Sequence, residues 1–375
     1  MIIHPRPSPI AASMYQLRDL GVDAIILHGP SGCCFRTARL LEQDGVKVFT
    51  TGMNEDDFIF GGSNKLLETV NEVIKILKKK YSKKNNVQNI NSKNNKKYLI
   101  GIVGSCPSMI IGENLSLPVE ECSYDDVVII PVEVHGGSGD NTVGAIKVME
   151  SAFKYNLIDK EEYDRQIKIL SGATEVEKSR GMAKNKYIPP SYRDDTKEVI
   201  KLLKNLPKDS KIACVLNAKK ETAYLFADTL ISINRHFKDY NIINIANLDH
   251  NVGLPKIRKD CENIIKEYSK NNIKIDYITG GLDEYGILGD KVINILKNLE
   301  LDIIIVSGVP HGVPIDKMEE KIIKIGISDG PRTFYSIKEM YDYGIIEYDA
   351  HAKVLGKREV VKSKFGEILD CVFDE

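Results

Sequence analysis

Apolar residues in the first part of the chain fall into short runs, each closed by a turn rich in glycine. Val22 to Leu27 is such a run and predicts a buried strand, with a helix from Cys33 to Gly45 and a second strand over Val46 to Phe49. This is a βαβ rhythm. Leu66, Val70, Ile74 and Leu77 then recur at helical spacing and predict a longer helix from about Ser63 to Leu77. Tyr98 to Gly104 and Val127 to Val132 return to the strand pattern. After a charged stretch from Asp159 to about Leu206, four more apolar runs predict strands: Lys211 to Leu216, Ile242 to Ala246, Ile273 to Ile278 and Asp302 to Val306. Continuous apolar strands alternating with helices point to a doubly wound parallel α/β fold.

With 375 residues the chain exceeds what one core usually organises. The pattern divides it at 1–200, 201–285 and 286–375, with the first division near Lys201 and the second between Asp283 and Gly289. Residues 78–97 hold lysine and asparagine with no acidic residue, no arginine and one aromatic. That composition suits a solvated loop insertion better than a nucleic-acid patch.

Charge removes several classes of partner. Lys plus Arg number 52 and Asp plus Glu 53, so the net charge of -1 gives no field to attract nucleic acid or an anionic membrane. No apolar stretch nears the ~20 residues of a spanning helix, and the N-terminus lacks the regions of a secretion signal, so a cytoplasmic protein is expected. Seven cysteines without regular spacing fit a reducing compartment.

Candidate chemistry lies in two turns. Leu27-His28-Gly29-Pro30-Ser31-Gly32-Cys33-Cys34 and Val103-Gly104-Ser105-Cys106-Pro107-Ser108 each follow a predicted strand and deliver a cysteine to the same sheet edge. Cys33 and Cys106 suit metal thiolates with backbone amides near the sulfur. A nucleophilic Cys33 beside His28 is the alternative. A cubane cluster takes four ligands, so the simplest arrangement is a homodimer in which each chain gives two. Cys122, Cys214, Cys261 and Cys371 read as small hydrophobes. There is no Walker-type loop, and Gly136-Gly137-Ser138-Gly139 lacks the dinucleotide spacing, so neither ATP nor nicotinamide is expected on this chain.

His28 to Cys33, Asp57 to Gly62, Ser105 to Asn114 and Ile130 to Gly144 occur in an order and spacing that resemble the nitrogenase component 1 family. The resemblance implies an α/β fold of three Rossmann-like doubly wound parallel-sheet domains. Two departures narrow it. His4 to Pro9 holds no cysteine, which argues against an eight-iron cluster, and no central cysteine matches a ligand of the iron-molybdenum cofactor. Phe35 to Arg39, Val134 to Thr142 and Gly253 to Arg258 are similar to the tetrapyrrole reductases of this family that reduce and cyclise a nickel tetrapyrrole in making the methanogenic nickel coenzyme.

The resemblance further implies a 4Fe-4S cluster on Cys33 and Cys106 shared across a homodimer. A separate nitrogenase-reductase-like ATPase would dock on the chain, use ATP and magnesium itself, and send electrons through that cluster. Phe58, Ile59 and Phe60 would form the docking strip. His135 is the candidate catalytic proton donor, Arg36 and Asn141 are candidates for binding the carboxylate-rich substrate, and His28 is expected only to hold its turn. A scaffold for metallocluster assembly and a reductase of another tetrapyrrole or substrate are the alternatives.

Overall fold

The structure, a computed structural model, describes residues 7–85, 97–122, 124–184 and 186–374. Contacts divide the chain between Leu170 and Ser171 into two units. In the first, four parallel strands, β1 (Ala24–His28), β2 (Lys47–Thr50), β3 (Tyr98–Gly104) and β4 (Val127–Val132), lie in the order β2-β1-β3-β4. Helices α1 (Pro9–Leu20), α2 (Phe35–Gln43), α3 (Glu55–Phe60), α4 (Ser63–Asn85), α5 (Cys106–Ile110), α6 (Leu117–Glu121) and α7 (Asn141–Lys154) connect or flank them.

Period two in the strands and period 3.6 in α4 meet in one core. Ala24, Ile26, Ile100 and Ile102 face the α4 stripe of Leu66, Val70, Val73, Ile74 and Leu77. On β3, Gly101 leaves room for Leu17 of α1, whose Cδ1 would lie 2.5 Å from a Cβ there. α4 runs to Asn85, further than the expected end at Leu77, because its lysine-rich continuation favours a helix that packing has already nucleated. Most of the Lys/Asn stretch, residues 86–96, lies outside the described residues.

The second unit corrects the expected division. Its strands β5 (Lys211–Asn217), β6 (Asn241–Ala246), β7 (Tyr277–Ile278), β8 (Ile303–Gly308), β9 (Ile323–Asp329) and β10 (Tyr343–Glu347) form one parallel sheet in the order β10-β9-β8-β5-β6-β7. Counted along the unit this is the Rossmann order 3-2-1-4-5-6. Residues 201–285 and 286–375 therefore share a sheet instead of forming two domains. The reason is β5: it pairs with β6 on one edge and β8 on the other, and both β5 and β8 are buried along almost their whole length. The stretch 283–289 is a crossover within that sheet. The division expected near Lys201 instead falls within the helix Lys160–Ser179.

Among the described residues, no helix is long and apolar enough to cross a membrane.

Candidate metal centre at the edge of the first sheet

The parallel register sets His28 beside Gly104, so the turns after β1 and β3 leave the sheet side by side. They interlock. Ser105 Oγ donates to the His28 carbonyl at 2.7 Å, and a Cβ at Gly29 would come within 2.4 Å of that hydroxyl. Only glycine permits this approach. Ser105 also caps α5, exchanging hydrogen bonds with Ser108, and Cys106 is the first residue of that short helix. On the other turn, the Cys33 amide donates to the Pro30 carbonyl, and Cys34 takes a left-handed backbone (φ 52°) as the cap of α2.

These thiols sense one another. Partial burial raises the Cys33 pKa, and charge on Cys106 raises it further. Burial also raises Cys34, with Cys33 and Cys106 adding to the effect. A side-chain hydrogen bond from Ser8 offsets part of the rise on Cys34. Gly136 supplies one backbone donor, its amide reaching Cys106 Sγ at 3.1 Å, and a Cβ there would sit 3.0 Å from the sulfur. By contrast, burial pushes Cys214 and Cys261 up to about 12, which keeps them as inert core thiols. The donor set on Cys33 and Cys106 fits half of the four-sulfur shell of a cubane.

A polar network lies under the Cys33 turn. His28 is fully buried, with Nδ1 3.0 Å from Thr51 Oγ1 and Nε2 3.3 Å from Glu113 Oε2. An ionised Glu113 can only accept, which puts the proton of a neutral His28 ring on Nε2, while Thr51 Oγ1 at Nδ1 also accepts the Gly29 amide and lies 3.4 Å from the Gly29 carbonyl. Burial lowers the His28 pKa despite Glu113, so the ring is neutral. Burial pushes the Glu113 pKa up, but donors from Gly62, Ser63 and His28 outweigh it and hold the carboxyl below its ordinary value. His28 accordingly holds its turn.

Elsewhere the sequence candidates take distinct positions. Phe58, Ile59 and Phe60 lie on α3, a helix started by a capping box between Asn54 and Asp57, with Ile59 73% and Phe60 84% exposed. Arg36 is exposed in the first turn of α2. His135 follows β4, and its Nδ1 accepts the Gly137 amide at 3.1 Å, which leaves the proton of the neutral ring on Nε2. Asn141 is half-buried at the start of α7, behind the Asp140 cap. Sequence reasoning missed Gly136 as a sulfur donor, Glu113 as a carboxylate at this edge, and two exposed apolar residues flanking the cysteines, Phe35 and Ile110. The glycine run 136–139 was the available signal for the first.

Comparison with known proteins identifies the family. The family model described as Nitrogenase component 1 type Oxidoreductase matches residues 10–81. Component CfbD of the Ni-sirohydrochlorin a,c-diamide reductive cyclase complex of Methanocaldococcus jannaschii is 62% identical over 375 residues, spanning 100% of both chains. The same component from Methanothermobacter thermautotrophicus is 48% identical over 98% of each chain. That of Methanosarcina acetivorans is 41% identical over 100% of this chain and 98% of its own. The chain belongs to the CfbD family of nitrogenase component 1 type oxidoreductases.

Proposed function

We propose that this chain is the catalytic component of an ATP-dependent reductive cyclase that reduces and cyclises nickel-sirohydrochlorin a,c-diamide. The observation that carries the reading is the pairing of Cys33 and Cys106 on interlocked turns, with the Gly136 amide on the second sulfur. Similarity along the whole length to components of that cyclase complex supports the substrate.

In this reading two copies of the chain place Cys33 and Cys106 around one 4Fe-4S cluster, which when bound accepts and passes on single electrons. Gly136 keeps negative charge on Cys106 tolerable by donating its amide proton. Phe58, Ile59 and Phe60 offer an apolar strip to a nitrogenase-reductase-like ATPase, which hydrolyses ATP on its own surface. Aromatic anchors of this kind dominate interface energetics. His135 serves as proton donor to the reduced macrocycle as the imidazolium, formed when Nδ1 takes up a proton in place of its hydrogen bond from the Gly137 amide, and returns to the neutral ring on giving that proton up. Arg36 pairs with a substrate carboxylate through its planar guanidinium, and the Asn141 amide adds a hydrogen bond.

The test is turnover under anaerobic conditions with the cognate reductase, magnesium ATP and nickel-sirohydrochlorin a,c-diamide. Formation of a ring-reduced product with a new carbocycle is expected. No consumption of substrate by protein carrying its full iron content contradicts the reading.

A further inference from the structure

Glu113 is a buried carboxylate that bridges three segments of the cysteine edge. It stands just after α5, where its amide donates to the Ser108 carbonyl at 3.0 Å and so fixes it to the element carrying Cys106. Its Oε1 accepts the Gly62 amide at 2.6 Å, and its Oε2 accepts Ser63 Oγ at 2.7 Å and His28 Nε2 at 3.3 Å. Gly61 ends the helix of the Phe58–Phe60 strip, and Gly62 leads into Ser63, the first residue of α4. His28 opens the turn that carries Cys33. Among the described residues no lysine or arginine pairs with Glu113.

Two glycines bring the strip onto this carboxylate. Gly61 has φ +90°, and a Cβ there would lie 3.3 Å from Glu113 Oε1. At Gly62 a Cβ would lie 3.2 Å from His28 Cε1. The two glycines that follow the strip therefore lie close against the Glu113–His28 pair. Burying a carboxylate is costly unless donors satisfy it, and an apolar residue would fill the same space without that cost. Three convergent donors give instead a geometric tie, because displacement of the Gly61–Ser63 segment changes hydrogen bonds that end on both cysteine-bearing turns.

Resting on the function proposed above, we infer that Glu113 is a positioning residue: docking of the reductase on Phe58–Phe60 is transmitted through Gly62 and Ser63 to Glu113, and from there to His28 and the Cys33 and Cys106 turns. The reductase thereby changes the environment of the cluster ligands when it docks. Electrons then meet a cluster whose potential depends on whether the partner is seated.

The experiment measures the midpoint potential and electron paramagnetic resonance spectrum of the reconstituted cluster, alone and with the cognate reductase held in place by a non-hydrolysable ATP analogue. The dissociation constant of the reductase is recorded alongside. Glu113→Gln keeps the volume but offers one acceptor oxygen in place of two, so one arm of the bridge is lost. The expected result is native iron content, with a reductase-induced shift reduced to less than about half of the native shift. Ser63→Ala removes a single arm at the helix start, and a partial reduction is expected. It carries the test if Glu113→Gln fails to fold. Equal shifts in native and variant proteins overturn the inference while leaving the proposed function standing. A native protein that loads its cluster and binds the reductase yet shows no shift overturns it also, and one that does neither overturns the function beneath it.

Discussion

At the scale of single residues the site is governed by contacts that leave no room for a methyl group. At Gly136 a Cβ would sit 3.0 Å from Cys106 Sγ, while the amide of the same residue donates to that sulfur. Gly136→Ala is therefore expected to weaken cluster retention and shift the midpoint potential with little change in thermal midpoint, measured on reconstituted protein. The sequence showed glycines in this loop but not that one of them meets a sulfur thirty positions earlier, since that meeting depends on the side-by-side placement of β3 and β4. Cys33 and Cys106 were legible because each follows a strand and a glycine-bearing turn. Glu113 was not, because a lone glutamate after a short helix carries no pattern of its own.

His28 and Glu113 also set a pH dependence. Glu113 titrates below its ordinary value in the folded protein, so its contribution to stability is full above the ordinary carboxylate range and is lost as pH falls through the lowered value. His28 is held neutral, so its contribution is likewise full above its ordinary value near 6.5 and is lost on acidification. Both signs agree. The cluster-free protein is expected to lose stability as pH falls below about 6.5 through His28 and further below about 4.5 through Glu113, and Glu113→Gln to lessen the slope below about 4.5, as read by thermal midpoints across that range. A stability flat over this window contradicts the assigned protonation states.

At the scale of elements, α3 is a short helix that presents its aromatics outward instead of a strand end that buries them. Phe60→Ala is expected to weaken reductase affinity tenfold or more, about 1.4 kcal/mol, without loss of iron. Unchanged affinity and turnover would remove α3 from the docking role. Strands β1, β3, β4, β5 and β8 were readable as apolar runs because both faces of a parallel sheet are covered. β9 and β10 were not recognised, and the cause lies in their glycines. Gly326 and Gly344 look like breakers, yet a Cβ at Gly326 would meet Ile337 Cγ2 at 2.7 Å, and one at Gly344 would meet Ile337 and the Phe334 ring at 3.3 Å. Those glycines exist to let a helix close on the sheet.

At the scale of the whole molecule, the parallel α/β class followed from periodicity, whereas the number of sheets did not. The crossover from β7 to β8 has the turn residues of a domain boundary, and only the pairing of β5 with β8 makes it internal to a sheet. In the proposed function a dimer is required, because Cys33 and Cys106 would supply two sulfurs where a cubane takes four. The most direct measurement is iron content per dimer with electron paramagnetic resonance after anaerobic reconstitution of the native protein, Cys33→Ser, Cys106→Ser and Cys34→Ser. The account predicts about four irons per native dimer, loss of the cluster in the first two variants and its retention in the third; normal iron content in both Cys33→Ser and Cys106→Ser contradicts it.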